Sequence, residues 1–307
     1  MLRLRQNGPN ISIENDHITA EIHTKGYVSG VAGGTFVDKK TGANDHSFGL
    51  DIVDFLLEPG PDDGPDGEEK YDTGSLVHGD IPKRYVELPQ ICTQAKKIDF
   101  ETIRGDDFIA VRQWYRYQTA TRDRRPGSLW EQILVFPEDT RPFYSMDRIT
   151  SVNSVDGLTL RIDLPGHLKH QSGDSFSRIY LSYHGYIPAD EFRQDFPPDG
   201  KFLYQRGRQS LPERIIRARQ HRVDGHTDPW LAGMTLDPGI VSEAWCHQRG
   251  YVCFIQEIGQ LPIQSGQSFS AAHIIGYFNS IEEMETVYDR HKGCSAVELT
   301  DNSWKLT

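Results

Sequence analysis

Short stretches of alternating apolar and polar residues recur along most of the chain, and this two-residue period is typical of half-buried β-strands. The first stretch, ISIENDHITAEIHT, predicts a pair of strands whose buried positions are Ile11, Ile13, Ile18, Ala20 and Ile22. Similar stretches follow as FIAVRQWYRYQTA, LWEQILVFP, FYSMDRITSVN, LTLRIDLP and RIYLSYHGYIP, separated by Gly, Pro and Asp residues that favour turns. Strands at this spacing, without helical periodicity between them, predict antiparallel sheets folded into a sandwich or barrel.

One segment near the C-terminus has a complete helical signature. Ser280 and Glu283 form a capping box, apolar residues recur at helical spacing from Ile281, and Gly293 suits the end of a helix. A second helical stretch is predicted around the sequence LPERIIRARQ. The sequence therefore predicts an all-β protein with one short C-terminal helix.

The composition is that of an ordinary globular protein with ample material for a core, since 37% of its 307 residues are hydrophobic and 25% are charged. No apolar run approaches the roughly 18 residues of a membrane span. The net charge of -11 argues against a nucleic-acid partner, although a locally basic pocket remains compatible with one anionic sugar. Because neither repeats nor linker composition divide the chain, we predict a single domain over residues 1–307. Composition predicts no oligomeric state.

The four cysteines form neither a CxxC pair nor a zinc-ribbon spacing. Cys246 and Cys253 flank a predicted hairpin turn, and Gly250 in the left-handed position of that turn places them on opposite faces of the hairpin. We therefore expect buried thiols rather than a disulfide. The N-terminal sequence MLRLRQNGPN also lacks the apolar segment of a secretory signal, which together with the free thiols predicts a cytoplasmic setting.

The stretch LVHGDIPKRYVELP concentrates groups that can handle a sugar acid. Chemistry at a sugar carbon beside a carboxylate needs a cation that neutralises the carboxylate and a base that removes the proton. His78 is the candidate base, and Lys83, Arg84 and Tyr85 are candidate substrate-binding residues. The alternative is a polar loop whose charges pair with one another.

A candidate metal site lies in RIDLPGHLKHQSGDSF, where Asp163, His167 and His170 combine a carboxylate with two histidines. His184 or Glu257 would complete this set. A divalent metal is the only cofactor that the sequence suggests. Without a metal, His167 remains a candidate proton-transfer group, because an unperturbed histidine titrates near neutral pH. The alternative is a loop whose histidines bond to the backbone.

Four residues are singled out by their surroundings. In YLSYHGYIP, Tyr183 beside His184 is a candidate acid or base, and the alternative is an aromatic cluster across strands. Trp230 follows HTDP, so we expect it in a loop where its ring can stack on a sugar. Glu257 ends the apolar run YVCFIQE, where a carboxylate is either a rim residue paired with a cation or a group placed for chemistry.

Both ends of the chain resemble known carbohydrate enzymes. The opening ISIENDHITAEIHTKGYVSGVAGGTFVDKKTGAND is similar to the first strands of galactose mutarotase-like β-supersandwich enzymes, and GYVCFIQEIGQLPIQSGQSFSAAHIIGYF is similar to the ending of aldose 1-epimerases. The resemblance implies an antiparallel β-supersandwich in which Glu257 is the catalytic base. VHGDI is a partial match to the family's histidine motifs. The same fold occurs in polysaccharide lyases, which use Tyr, His, Lys or Arg residues.

The first functional hypothesis is a lyase that cleaves a uronate-containing glycoside by β-elimination. Its candidate residues are His78, His167 or His170 as the base, Tyr183 with His184 as the acid/base, and Lys83, Arg84 and Tyr85 around the substrate. A second hypothesis is an aldose epimerase with Glu257 as the base and a histidine as the acid. A third is a non-catalytic carbohydrate-binding module that uses Trp230. Glycoside hydrolysis would instead need two facing carboxylates, from Glu257 with Glu243 or Glu131.

Overall fold

The computed structural model describes residues 1–60, 81–121, 123–170, 175–196, 201–221 and 229–307. In chain order the strands of the first half are β1 (Arg3–Asn7), β2 (Asn10–Glu14), β3 (Ile18–His23), β4 (Val31–Ala32), β5 (Val37–Asp38), β6 (Gly49–Leu50), β7 (Ile52–Pro59), β8 (Lys83–Leu88), β9 (Asp99–Arg104), β10 (Phe108–Arg116), β11 (Thr119–Ala120) and β12 (Leu129–Pro137). Those of the second half are β13 (Phe143–Thr150), β14 (Val155–Asp163), β15 (Phe176–Leu181), β16 (Gly185–Pro188), β17 (Tyr204–Gln205), β18 (Ile215–His221), β19 (Trp230–Thr235), β20 (Val241–Gln248), β21 (Val252–Ile263), β22 (Ser268–Phe278), β23 (Val297–Leu299) and β24 (Trp304–Leu306). The helices are α1 (Ile91–Gln94) and α2 (Ile281–His291), with 3-10 turns at Ala189–Phe192 and Pro238–Ile240.

Two large antiparallel sheets dominate the fold. The nine-stranded sheet has the order β16-β15-β18-β19-β22-β13-β12-β10-β9, and the seven-stranded sheet has the order β11-β8-β7-β14-β21-β20-β17. A four-stranded sheet, β1-β2-β3-β5, is formed by the N-terminal region. The predicted antiparallel β-supersandwich with a short C-terminal helix is confirmed, and α1 adds only a single turn.

The main hydrophobic core draws residues from both large sheets and from the N-terminal sheet. The five predicted positions Ile11, Ile13, Ile18, Ala20 and Ile22 are each 0% or 1% exposed and belong to this core. Burying an isoleucine side chain stabilises a fold by about 1.5 to 3 kcal/mol. The N-terminal strands therefore contribute to the same core that holds the large sheets together.

Helix α2 begins as the sequence predicts. The Ser280 hydroxyl accepts a hydrogen bond from the backbone N–H of Glu283 at 3.2 Å, and Gly293 adopts a φ of 90° after the helix. Ile281, Met284 and Tyr288 are buried and join a second apolar cluster with residues of the nine-stranded sheet. The amphipathic face thus fixes the helix on this sheet, and the cap satisfies one of its N-terminal donors.

Replacing Ser280 with Ala is expected to lower the free energy of unfolding by about 1 kcal/mol, because the N–H of Glu283 loses its acceptor. The midpoint of urea unfolding, followed by circular dichroism, measures this loss. Ser280→Asp is the matched control, since an aspartate also caps well and should retain nearly all of the stability. Equal losses in both variants would contradict a capping role.

The helix predicted around LPERIIRARQ is wrong, because this segment contains strand β18. The strand pairs with β15 on one side and β19 on the other, inside the nine-stranded sheet. Both of its faces are covered, so its apolar residues do not alternate strictly with polar ones. Arg217 and Arg219 are each 0% exposed. Because these buried positions hold charged residues, the sequence of the strand has the pattern of a polar helix.

All four cysteines are free thiols, in agreement with the sequence. Cys246 and Cys253 pack in separate apolar clusters on opposite faces of the β20–β21 hairpin, and Gly250 in its turn has a φ of 74°. None of the helices in the described part of the chain has the length and hydropathy needed to cross a membrane.

Candidate functional site

Charged side chains occupy one face of the seven-stranded sheet. On β14, Leu160 and Ile162 point into the main core, so Arg161 between them points to the opposite side. The same alternation places Lys83 of β8, Glu243 and Trp245 of β20 and Glu257 of β21 on that side. We call this side the outer face. Its charged residues are nevertheless 0% or 1% exposed.

Four of these residues are linked by ion pairs, and we call them the charged quartet: Lys83, Arg161, Glu243 and Glu257. The ammonium group of Lys83 contacts Glu243 and lies 2.7 Å from Oε2 of Glu257. Arg161 donates to Oε1 of Glu257 from Nε at 3.0 Å and from Nη2 at 2.6 Å. Each carboxylate is therefore paired with at least one buried cation, as burial of a charge requires.

Strand register explains how the quartet is assembled. Glu257 lies directly opposite Arg161 on the neighbouring strand β14 and directly opposite Glu243 on the other neighbour, β20. Side chains opposite each other in antiparallel strands have Cβ atoms roughly 4.5 to 5.5 Å apart. The sheet thus holds the two carboxylates side by side, and Lys83 from β8 reaches both.

Aromatic rings surround the two cations of the quartet. The ring of Trp245 lies 6.0 Å from Nζ of Lys83 and 5.6 Å from the guanidinium carbon of Arg161. The ring of Phe55 lies 6.0 Å from the same carbon of Arg161. These contacts place the cations against the electron-rich faces of the rings and restrict water around them.

The environment of Glu243 adjusts its pKa to the range of neutral pH. Burial is the main cause that raises the pKa, Lys83 opposes it, and the charge of Glu257 adds to it, so that the pKa of Glu243 rises to about 7. A carboxyl group with this pKa exchanges a proton at neutral pH. Glu243 therefore has the property required of a general acid.

A histidine on the same face, His247, has the opposite property. His247 follows Trp245 by two residues on β20 and accepts a hydrogen bond from its indole N–H at 3.2 Å. Burial lowers the pKa of His247 to about 4. At neutral pH its imidazole is uncharged, so it has no extra proton to donate.

The candidate residues predicted between positions 78 and 85 do not all lie together. His78 lies outside the described residues. Lys83 belongs to the quartet, but Arg84 points to the other side of β8 and pairs with Glu58, with 2.6 Å between Nε and Oε1. Lys83 and Arg84, predicted to neutralise a substrate carboxylate together, thus lie on opposite sides of the strand, because consecutive strand residues face opposite ways. Tyr85 shares the side of Lys83, and its ring lies 5.1 Å from that of Phe55.

The predicted metal set of Asp163, His167 and His170 does not come together. His170 is buried elsewhere, with Nδ1 2.7 Å from the hydroxyl of Ser175 and its ring stacked on Phe176. Asp163 and His167 do meet, at 2.7 Å between Oδ2 and Nδ1. The chain turns after cis-Pro165, so that His167 lies next to Asp163, whereas His170 lies further along the chain and away from Asp163.

Cys253, and not the predicted His170, lies beside Asp163 and His167. Potential ligand atoms of Asp163, His167 and Cys253 lie within 4.8 Å of one another. Burial works to lower the pKa of His167, but the charge of Asp163 and their hydrogen bond outweigh it, so that the pKa is raised. Asp163 and His167 thus form a compact acid–histidine pair beside the quartet's sheet.

Tyr183 and His184 lie in the turn between β15 and β16, at the edge of the nine-stranded sheet. Burial raises the pKa of Tyr183, although Arg217 opposes the change. This is the wrong direction for a tyrosine that must give up its proton near neutral pH. His184 is exposed and its ring packs edge-on against Phe202 at 4.9 Å, away from the quartet.

The loop position expected for Trp230 is wrong, because Trp230 begins strand β19. It is 3% exposed, and the guanidinium of Arg178 lies 5.2 Å from its ring centre. A tryptophan this deeply buried has no free ring face for stacking on a sugar. Glu131, weighed as a partner of Glu257, lies on β12 of the other large sheet, where Arg112 and Arg148 pair with it.

Sequence reasoning missed Arg161, and it named Glu243 only as one of two possible partners of Glu257, beside Glu131. The alternation of side chains along each strand already indicated their common face. Arg161 alternates with Leu160 and Ile162, and Glu243 alternates with Ser242 and Ala244. This alternation shows which residues share a face of one strand. It does not show which strands are neighbours, and that information joined the quartet.

No protein-family model and no curated protein matches the sequence. Among solved structures, the chain is similar to a galactose mutarotase-like protein from Clostridium acetobutylicum, with a TM-score of 0.51 and 11% identity over 91% of this chain and 99% of the other. It is also similar to an alpha-mannosidase from Enterococcus faecalis, with a TM-score of 0.51 and 13% identity over 94% of this chain but 31% of the mannosidase. These similarities show the fold, and the expected galactose mutarotase-like architecture is confirmed.

Proposed function

We propose that this galactose mutarotase-like chain is a carbohydrate-active enzyme that interconverts the anomers of an aldose at the charged quartet. The observation that carries the proposal is the pairing of two carboxylates with different environments. Glu257 is held between the two cations Lys83 and Arg161, whereas Glu243 beside it has a pKa of about 7. A base and an acid on adjacent strands are what anomer exchange requires.

The reaction follows from these two roles. Glu257 takes the proton of the anomeric hydroxyl while Glu243 donates a proton to the ring oxygen, and the bond between the anomeric carbon and the ring oxygen breaks. The open-chain aldehyde then rotates about its first carbon–carbon bond. On ring closure from the other face, Glu243 regains its proton from the hydroxyl that becomes the ring oxygen and Glu257 returns its proton to the anomeric oxygen, so no proton or electron is gained or lost overall.

In this reaction the acid is Glu243, whereas the sequence-based epimerase hypothesis assigned the acid to a histidine. His247 is uncharged near neutral pH because burial lowers its pKa to about 4. Glu243 instead retains a proton on about half of the molecules at pH 7. Because the quartet is buried, a sugar reaches it only after a movement that exposes the outer face.

Two-dimensional exchange NMR on a panel of aldoses, including uronic acids, tests the proposal. We expect added protein to speed the exchange between α and β anomer signals for at least one sugar. Uronate-containing oligosaccharides mixed with the same protein report lyase activity, because β-elimination at their glycosidic bond creates an unsaturated uronate with a new ultraviolet absorbance. Elimination without anomer exchange would replace the proposed reaction with the lyase.

The lyase hypothesis has less support from the described residues. Both cations that it assigned to a substrate carboxylate are already paired, Lys83 with Glu243 and Glu257, and Arg84 with Glu58. Its acid/base tyrosine, Tyr183, has a raised pKa. A pure binding module has less support too, since its stacking residue Trp230 is buried.

The pH dependence of anomer exchange should reveal Glu243. As the pH rises through about 7, Glu243 loses the proton that it must donate, so kcat is expected to fall about tenfold per pH unit above this value. The Glu243→Gln variant should be slower and should lack this fall. A wild-type rate that stays constant from about pH 6 to 9 would assign the acid to another group.

A further inference from the structure

A second group of polar residues is buried between the two large sheets. Asp147 of β13 and His273 of β22 belong to the nine-stranded sheet, and Asp51 immediately precedes β7 of the seven-stranded sheet. All three are 0% exposed, and their potential ligand atoms lie within 4.8 Å of one another. We call these three residues the inter-sheet cluster. It does not include any residue of the charged quartet.

Each carboxylate in the cluster has one anchored oxygen and one free oxygen. Oδ2 of Asp51 accepts a hydrogen bond from the hydroxyl of Ser145 at 2.5 Å, and Oδ1 of Asp147 accepts from Trp130 at 2.9 Å and Gln132 at 3.2 Å. The two carboxyl groups lie close enough to hydrogen-bond to each other, and Oδ1 of Asp51 and Oδ2 of Asp147 are buried with no other partner. The anchored oxygens fix the carboxylates so that the free ones face a common point.

His273 repeats this arrangement. Its Nδ1 lies 3.1 Å from the hydroxyl of Thr235, whereas its buried Nε2 has no hydrogen-bond partner. Nε2 lies 3.6 Å from Oδ2 of Asp147, which is too long for a hydrogen bond. Two ligands of a tetrahedral ion lie about 3.3 Å apart when each is about 2.0 Å from the metal. Metal-binding histidines commonly use their second nitrogen for such an anchoring contact.

The charge of the cluster also calls for a cation. Within the ranges that the structure describes, neither Asp51 nor Asp147 forms an ion pair with a lysine or arginine. Burying two carboxyl groups side by side is costly unless they share a proton or bind a cation, and a divalent ion would neutralise both. The backbone of Asp51 adds a second sign of constraint, because its φ of 64° is uncommon for a residue with a side chain.

We propose that Asp51, Asp147 and His273 bind a divalent transition-metal ion, Zn²⁺ or a close equivalent, which joins the two large sheets. The ligand atoms are Oδ1 of Asp51, Oδ2 of Asp147 and Nε2 of His273. One nitrogen and two carboxylate oxygens suit Zn²⁺ better than the all-oxygen sites preferred by Ca²⁺. Because the site is closed to solvent, the ion enters while the chain folds.

The experiment uses untagged full-length protein and Zn²⁺ or Co²⁺ as the probe. Elemental analysis of the purified protein is expected to give about one equivalent of metal per chain. After unfolding with a chelator, refolding with Zn²⁺ should raise the Tm by about 5 °C over refolding without metal. His273→Gln should abolish metal retention, and His167→Gln should preserve it, because His167 belongs to the separate group with Asp163 and Cys253.

X-ray absorption of the Co²⁺- or Zn²⁺-loaded protein decides the case if His273→Gln fails to fold. We expect nitrogen and oxygen ligands only. A metal–sulfur distance of about 2.3 Å would place the ion at Cys253 instead and overturn the proposal. Protein that contains no metal, and that refolds to the same Tm with or without metal, would also overturn it; a proton shared between Asp51 and Asp147 would then replace the ion.

Discussion

The Glu257→Gln variant is expected to lose about 10²- to 10⁴-fold in kcat for anomer exchange, the range associated with loss of a positioned general base. Glutamine preserves the size of the side chain but cannot accept the proton of the anomeric hydroxyl. It also leaves Lys83 and Arg161 facing an uncharged group. Exchange NMR on the best sugar of the panel measures the loss, with circular dichroism to verify folding.

Glu131→Gln is the matched control for this experiment. Glu131 is also a largely buried glutamate held between two cations, Arg112 and Arg148, but it lies on the nine-stranded sheet. Its loss should change stability without changing kcat. If both variants retain wild-type kcat, Glu257 is a structural ion-pair partner and the active site lies elsewhere.

Replacing Lys83 with Met is expected to lower the free energy of unfolding by about 3 to 5 kcal/mol at pH 8, the cost of removing one partner from a buried ion pair. Methionine fills a similar volume, so packing changes little. The change leaves Glu243 and Glu257 side by side without the ammonium group between them. Denaturant unfolding monitored by Trp fluorescence measures the loss.

The loss should depend on pH in a defined direction. Glu243 already has a raised pKa of about 7, and removal of Lys83 raises it further. At about pH 5 Glu243 is protonated in the folded variant, so the repulsion from Glu257 is relieved and the destabilisation is smaller than at pH 8. The double variant Lys83→Met/Glu243→Gln should recover much of the stability at pH 8.

Lys305→Met provides the control at an exposed ion pair. Lys305 is 66% exposed and pairs with Glu298 at 2.8 Å on the surface. Exposed pairs of this kind contribute little, and the variant should remain within about 1 kcal/mol of wild type. If Lys83→Met costs no more than Lys305→Met, the quartet is not an energetically coupled unit.

The N-terminal strands show what the sequence could predict. Ile11, Ile13 and Ile18 sit in a strict two-residue alternation, so their burial follows from strand geometry alone. The cap of α2 was equally accessible, because its residues are close together in the sequence. Strand β18 was not, since burial on both faces removed the alternation on which the prediction relied.

The site was only partly predictable. Glu257 was identified from its place at the end of an apolar run, and Lys83 from a cluster of polar residues. Their partners required knowledge of sheet order: Lys83 and Glu243 are 160 residues apart and meet because β8 and β20 belong to one sheet. No local pattern carries that information.

The sequence contains a further indication, at the residues of the inter-sheet cluster. Asp147 is separated by an even number of positions from Phe143 and Ile149 on β13, so its side chain lies on the same buried side as theirs. His273 is likewise separated by an even number of positions from Ile275 on β22. Polar residues at core positions of adjacent strands indicate a buried polar site, even before the structure shows what they contact.

The strands at the sheet margins have a consequence for aggregation. The seven-stranded sheet ends at β11 and β17, each of two residues, and β16 at one end of the nine-stranded sheet closes with Pro188. Such short or interrupted edges offer few free backbone groups to another chain. The longest apolar strands, such as β12 and β21, lie inside the sheets. Among the edge strands of the two large sheets, β9 has six residues and presents the longest row of free backbone groups, so aggregation should begin at β9 or from molecules that have lost the short outer strands.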